Sequence, residues 1–257
     1  MSTEADNPFA EGAENYAKHR PKYPDELAKV LASLCPSNEL AVEVGCGTGQ
    51  FSHCLASHFE KVLATDLSLE QIKQAAPHAN ITFKSEPAEK ISARDSSTSL
   101  VVAAQAAHWF DLNKFYKEAK KMAVDQAVVA LLSYGVLNIE GEALDERFQK
   151  FYWQEIHRFW APDRKHVETG YQEFDFPFNE LVLPPVNIVC EWNFNQLIGY
   201  INTWSAMKSL RMKALGEAGP DQVFNEFHEE LKEIWGDIET TKTITWPISS
   251  RVGKIEL

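Results

Sequence analysis

The sequence predicts a doubly wound, largely parallel α/β sheet joined to a helical, aromatic-rich C-terminal half. Three observations carry this. Short apolar runs alternate with helical spacing through the first half. The first of those runs empties into the glycine loop Gly45-Cys46-Gly47-Thr48-Gly49. Six of the seven tryptophans lie beyond residue 150, so the second half is built for a different task.

Taken in order, Pro24-Asp25-Glu26 opens a helix whose Leu27, Val30, Leu31 and Leu34 share one face. Leu40 to Val44 is a buried strand, and a helix follows from about Gly49, carrying Phe51, Cys54, Leu55 and Phe59. Lys61 to Asp66 is the second strand. Ser68 and Gln71 form a capping box for a helix over Leu69 to Ala76. Ile81 to Lys84 and Ser99 to Gln105 are the third and fourth strands, the fourth apolar enough to be buried on both faces. Asn113 to Ala123 is helical and Ala127 to Tyr134 is the fifth strand. Leu144, Phe148, Tyr152, Ile156 and Trp160 then keep helical spacing up to Pro162. Val186 to Trp192 is a strand, Leu197, Ile201 and Trp204 mark a helix, and Phe224, Phe227, Leu231 and Ile234 mark another. Thr243 to Trp246 closes the pattern as a strand.

The chain has 257 residues, enough for one large α/β domain with insertions, and is 44% hydrophobic. No apolar run approaches the roughly 20 residues that span a bilayer. The acidic, polar start, Met1 to Asn7, has neither secretory nor transit character, so a cytoplasmic protein is expected. With 37 acidic and 25 basic residues the formal charge is -12, the wrong sign for phosphate-rich partners. Nucleic acid and anionic membrane are therefore not expected partners. Cys35, Cys46, Cys54 and Cys190 form no Cys-x-x-Cys pair and have no zinc spacing with histidine, so neither metal nor disulfide is expected.

Glycine at the loop lets the chain turn sharply and lets a ligand approach the backbone without meeting a Cβ. The loop N–H groups and the following helix N-terminus supply a positive field. Asp66 lies 17 residues beyond Gly49, close to the distance at which an acidic residue meets ribose hydroxyls; alternatively it caps the helix that begins at Ser68. Gln50 stands where a dinucleotide loop wants a further glycine, and no Gly-Lys-Ser/Thr is present for a triphosphate. Glu43, ahead of the loop, repels pyrophosphate and favours an ammonium group, which S-adenosylmethionine carries.

The segment Val42 to Gly49 resembles the first motif of class I S-adenosylmethionine-dependent methyltransferases. Tyr16 to Pro24, Ala104 to Asp111, Gly170-Tyr171 with Phe176-Pro177-Phe178, and Thr203 to Ala206 are similar to a small-molecule branch that includes the trans-aconitate methyltransferases. The resemblance implies a Rossmann-like sheet of seven strands in the order 3-2-1-4-5-7-6, the last antiparallel. It implies an S-adenosylmethionine-binding core over 1–135 with an N-terminal lid helix. Residues 136–257 then form a helical substrate cap plus the strands completing the sheet, one structural domain overall. Glu43, Gly45, Cys46 and Gly47 would meet the methionine portion, Asp66 the ribose, and Leu67 the adenine face. Ala88 and Glu89 would lie at the adenine edge, although Pro87 stands where many relatives place an acidic residue. Gln105 would approach from the fourth strand, and Tyr16 and Arg20 would close over the cofactor, Arg20 pairing with its carboxylate.

Methyl transfer needs mainly alignment and exclusion of water. A carboxylate acceptor needs no base, whereas a phenol or alcohol does. His108, just past the fourth strand, is the candidate base; equally, it is a hydrogen-bond partner for a substrate carboxylate, or the residue that orients Trp109. Trp109, Trp153 and Trp204 are the candidate substrate contacts. Trp160, Tyr171, Trp192 and Tyr200 are further candidates to wall the pocket, or to form a small core. Trp153 and Trp204 are chosen because their helices are expected to turn them inward. The expected function is methylation of a small molecule, O-methylation of a carboxylic acid included, by a monomer or homodimer that releases S-adenosylhomocysteine. Two other classes stay open: an NAD(P)-dependent oxidoreductase, and an S-adenosylmethionine-binding module without catalysis.

Overall fold

The computed structural model describes residues 21–214 and 220–257. Tyr16 and Arg20 lie outside the described residues. In chain order the elements are α1 (Asp25–Leu34), β1 (Leu40–Val44), α2 (Gln50–Ala56), β2 (Lys61–Asp66), α3 (Leu69–Gln74), β3 (Ile81–Ser85), β4 (Thr98–Ala104), α4 (Leu112–Met122) and β5 (Ala123–Tyr134). Then come β6 (Asn138–Ile139), α5 (Glu142–Lys150), α6 (Arg164–Glu168), β7 (Asn179–Leu181), β8 (Asn187–Trp192), α7 (Phe194–Asn202), α8 (Ser205–Ala214), α9 (Pro220–Trp235) and β9 (Lys242–Ile255). They form two compact units. The first gathers Lys22–Gly135, Lys165–Ile188 and Pro247–Leu257, and the second contains Val136–Arg164 and Val189–Trp246.

The first unit is a Rossmann-like sheet. β1 pairs in parallel with β2 and β4, β2 with β3, and β4 with β5. β9 then runs antiparallel to β5, from Ala127↔Ile255 to Tyr134↔Ile248, and β7 runs antiparallel to β9 on its other side. The seven strands thus lie in the order β3-β2-β1-β4-β5-β9-β7, which is the expected 3-2-1-4-5-7-6 with the last strand of the chain reversed. Val42, Val101, Val129 and Leu131 are fully buried in the central strands. Each such side chain contributes about 1.5–3 kcal/mol on burial, which is why these runs are apolar on both faces.

Local chemistry sets the ends of the elements. Asp111 caps α4 by accepting from Lys114 N. The expected capping box at α3 is only half made. Gln71 N donates to Ser68 Oγ, but the Ser68 N–H is taken by Asp66 Oδ1 at 2.8 Å rather than by the Gln71 side chain. α3 also stops at Gln74, short of the expected Ala76.

The second unit is mostly helical. The expected stripe Leu144, Phe148, Tyr152, Ile156 is buried throughout, but the helix does not stay α: Phe151–Ile156 is a π-helical turn followed by a 3₁₀ turn at His157–Phe159. Phe151 is fully buried as well, stacking on Phe227 at 3.8 Å. Trp153 was expected to face inward, yet it is 46% exposed, because it follows Tyr152 around the helix and off the buried stripe. Its indole N–H donates to Gln149 Oε1 at 3.0 Å. Trp204 does face inward, 3% exposed, and the rings of Phe148, Tyr152, Trp160 and Tyr200 surround it within 6.2 Å. In α9 Phe227, Leu231 and Trp235 are buried, while Ile234, expected on the buried face, is 42% exposed. Among the described residues no helix is long and apolar enough to cross a membrane, and no group of three or more His, Cys, Asp or Glu is placed to hold a metal ion.

Candidate functional site

The carboxyl ends of β1, β2 and β4 hold most of the residues singled out from sequence. β1 ends at Val44, and the chain turns at once: Gly45 N and Cys46 N both donate to Thr65 O, at 2.7 and 2.9 Å. Gly47 N then donates to Asp66 Oδ2 at 2.8 Å. Asp66 therefore binds the loop with one oxygen and the start of α3 with the other. The carboxylate thus braces the helix start, as one of its two readings expected, and each of its oxygens keeps a further lone pair.

The three loop glycines have positive φ but different surroundings. A Cβ on Gly45 would overlap the Ala106 Cβ, and one on Gly49 would come within 2.6 Å of the Phe83 ring. At these two positions the protein's own packing already requires glycine. Only Gly47 opens on space, its nearest neighbour being Gln71 Oε1 at 3.8 Å. Gly47→Ala is therefore expected to cost only about 1 kcal/mol of stability from backbone strain. Gly45→Ala should cost at least twice that, because a side chain must also be displaced. Denaturant melts of the two variants check the order, and equal losses would contradict it.

Glu43 lies beneath this loop, 2% exposed, with Ser52 Oγ of α2 donating to its Oε2. Burial pushes the Glu43 carboxyl up to about 8, the Ser52 bond opposes that shift, and the Asp66 charge adds to it. Sequence reading missed Ser52, whose only signal is its place on the first turn of the helix after the loop. The Cys46 thiol is buried and held strongly protonated, first by desolvation and then by the Glu43 and Asp66 charges.

Leu67, next to Asp66, is 74% exposed. Ala88 is buried, and Glu89 Oε1 accepts from Asp111 N at 3.1 Å, bracing the turn before α4. Past β4 the chain passes through Gln105 in a left-handed conformation, φ +55°, with its Nε2 donating to Tyr134 O at 3.0 Å. Strain of this kind on a non-glycine residue gathers at functional sites. A 3₁₀ turn, Ala107–Trp109, follows. It leaves Trp109 55% exposed and puts His108 Nδ1 3.0 Å from the hydroxyl of Tyr171. Tyr171 is fully buried, 63 residues further along the chain, a pairing no local pattern reveals. The structure thus brings Glu43, Gly45, Cys46, Gly47, Asp66 and Leu67 together around one loop, and brings His108 to Tyr171. Trp153 and Trp204 belong to the second unit.

A doubly wound sheet with a glycine turn, two acidic groups and an exposed leucine at its carboxyl edge defines a nucleoside-binding class of protein. A family model described as a methyltransferase domain matches residues 42–131. A Dictyostelium discoideum protein carrying a methyltransferase name is 32% identical over 91% of this chain and 88% of its own length. A Saccharomyces cerevisiae protein named for S-adenosylmethionine-dependent methyl transfer is 26% identical over 47% of this chain and 44% of its own. Among solved structures, a chain from Anaeromyxobacter dehalogenans described as a type II methyltransferase superposes with a TM-score of 0.86 at 37% identity, covering 92% of this chain and 98% of that one. The chain belongs to the class I S-adenosylmethionine-dependent methyltransferases. Its residues fit that cofactor: Gly47 leaves the space, Leu67 offers an apolar face, the half-buried Asp66 sets a negative potential, and the buried Glu43 carboxyl can ionise against a cation.

Proposed function

We propose that this chain methylates an oxygen of a small carboxylic acid and releases S-adenosylhomocysteine. The observation that carries the reading is the loop itself, clamped by Asp66 on Gly47 and underlaid by Glu43. In the proposed complex Glu43, Gly45, Cys46 and Gly47 hold the methionine portion, and Tyr16 and Arg20, outside the described residues, are proposed as further cofactor contacts. Asp66 accepts from the ribose hydroxyls, while Leu67, Ala88 and Glu89 border the adenine and Gln105 approaches from β4. S-adenosylmethionine held by these residues would supply a methyl group on a positively charged sulfur, the sulfur keeping the electron pair as the methyl passes to the acceptor oxygen.

The protein's own part is alignment and exclusion of water. His108 and Trp109 sit past β4 and serve the acceptor, His108 as a hydrogen-bonding group, and Trp153 and Trp204 are proposed as further acceptor contacts. A net charge of -12 supports a small-molecule acceptor over nucleic acid or an anionic membrane. The proposal includes a cytoplasmic monomer or homodimer that uses no metal.

The test is a screen of carboxylic acids, phenols and amines with methyl-labelled S-adenosylmethionine. Labelled ester from carboxylic acids, with equimolar S-adenosylhomocysteine, is the expected result. Label passing only to amines or phenols would refute the acceptor class. Saturable NAD binding without S-adenosylhomocysteine binding would refute the methyltransferase reading.

A further inference from the structure

The glycine loop is tied down at two points. Asp66 holds the Gly47 N–H, and Ser52 Oγ donates to Glu43 Oε2, joining the end of β1 to the first turn of α2. Ser52 shares the buried face of α2 with Phe51, Leu55 and Ala56, and is itself fully buried. A hydroxyl on such a face is costly unless it is hydrogen-bonded, and Glu43 is the partner it has. A Cβ on Gly49 would lie 3.6 Å from Ser52 Oγ, so the serine sits directly against the loop. Thr65 Oγ1 braces the strand end by donating to Glu43 O at 3.4 Å.

Glu43 is in an uncommon position for a buried carboxyl. Among the described residues no lysine, arginine or histidine pairs with it. Its charged form is steadied by Ser52, through the hydroxyl and more weakly through the backbone N–H, while Asp66 opposes it. A buried carboxylate ordinarily needs a cation as well as donors. Here the fold supplies the donors, and the positive charge has to come from a ligand.

We infer that Ser52 is a positioning residue for the cofactor: its hydroxyl holds the Glu43 carboxyl in place beneath the loop and shares its charge when a cationic ligand binds. This role rests on the methyltransferase reading above and deepens its cofactor site. A serine hydroxyl suits it, because it can donate to a carboxylate and, by turning its O–H, accept from a carboxylic acid. The tie therefore survives in both protonation states, and the carboxyl stays in place while it ionises. The other titratable groups that sense Glu43 are Asp66 on β2, Cys46 in the loop and Cys54 on α2. Burial pushes the Cys54 thiol up to about 11 and the Cys46 thiol higher still, so neither titrates near neutral pH.

Two measurements test the role, one of them without ligand. The Glu43 carboxyl is followed by NMR in protein carrying ¹³C at its glutamate carboxyls, with Glu43→Gln used to assign the signal. It should titrate about one pH unit higher in Ser52→Ala than in wild type, because a hydrogen bond to a charged group is lost. Calorimetric titration of S-adenosylmethionine, with no acceptor present, should then find Ser52→Ala about tenfold weaker at pH 6 and 7. The gap should narrow to about threefold at pH 8.5, as the carboxyl ionises in both proteins. Ser52→Cys fills the same space with a much poorer donor and should move both measurements in the same direction, so the result does not depend on the alanine variant folding. An unmoved Glu43 titration, or an affinity loss equal at every pH, overturns the role. Wild-type protein that binds no S-adenosylmethionine at any pH overturns the methyltransferase reading itself, a result that the unliganded titration keeps separate.

Discussion

Asp66→Ala is expected to lower the affinity for S-adenosylhomocysteine by about a hundredfold, measured by isothermal titration calorimetry. Two effects combine. The variant removes the acceptors of the Gly47 and Ser68 N–H groups, both bonded at 2.8 Å, and frees the loop that must present its backbone to the ligand. It also removes a negative charge from the nucleoside side of the site. Hydrogen bonds to a charged group contribute about 1.5–3 kcal/mol each, and a hundredfold is about 2.7 kcal/mol, so a loss of this size needs no more than the contacts described. Asp66→Asn keeps an acceptor oxygen but not the charge, and should lose about tenfold. Unchanged affinity in Asp66→Ala would show that the loop is held, and the ribose bound, by other groups.

Glu43→Gln should abolish a pH dependence expected of the wild-type protein. Burial raises the Glu43 carboxyl from its ordinary 4.5 to about 8, so the unliganded protein carries it protonated at pH 7. A cationic ligand above the loop favours the ionised form. Apparent affinity for S-adenosylmethionine should then rise by up to about tenfold per pH unit between pH 6 and 8 and level off above. Binding at pH 7 should release a proton, visible as a buffer-dependent heat. The stability of the unliganded protein runs the other way. The folded state keeps a proton that the unfolded chain gives up, so this stabilisation is complete below pH 4.5 and is lost as pH rises through about 8. Urea melts at pH 5.5 and pH 8.5 should differ more in wild type than in Glu43→Gln, with a slope of up to about 1.4 kcal/mol per pH unit. A flat wild-type affinity would remove Glu43 from cofactor binding.

The sheet was readable because buried parallel strands leave a plain trace. β1 and β2 begin and end where their apolar runs do, at Leu40–Val44 and Lys61–Asp66, since both faces of each are covered. β5 and β9 were longer than the pattern suggested. β5 starts at Ala123, but Val124-Asp125-Gln126 interrupts the apolar run, Gln126 has φ +62°, and the ladder with β4 slips there. β9 continues from the expected Thr243–Trp246 stretch through Pro247 to Ile255. A proline normally argues against a strand interior, and here its carbonyl still accepts from Gly135 N. β6 and β7, at two and three residues, are set by their partner strand rather than by their own composition.

The site divides in the same way. The glycine loop, Glu43 and Asp66 are contiguous or nearly so, and the chemistry of each residue type points to a ligand without any fold. Ser52 and Tyr171 carry no such mark, because each becomes informative only through a partner that folding brings near. Trp153 misled because composition says that a half is aromatic, not which ring faces in.

Cys46 bears on a hazard that any such protein faces. The methyl donor is an alkylating agent, and a thiolate is among the best nucleophiles a chain can offer it. Cys46 sits within the loop proposed to hold the donor, yet burial, with the neighbouring carboxyls adding to it, pushes its thiol strongly toward the protonated form. The burial that packs Cys46 into the turn thus also keeps its sulfur in the less nucleophilic form, with the neighbouring carboxyls adding to the effect.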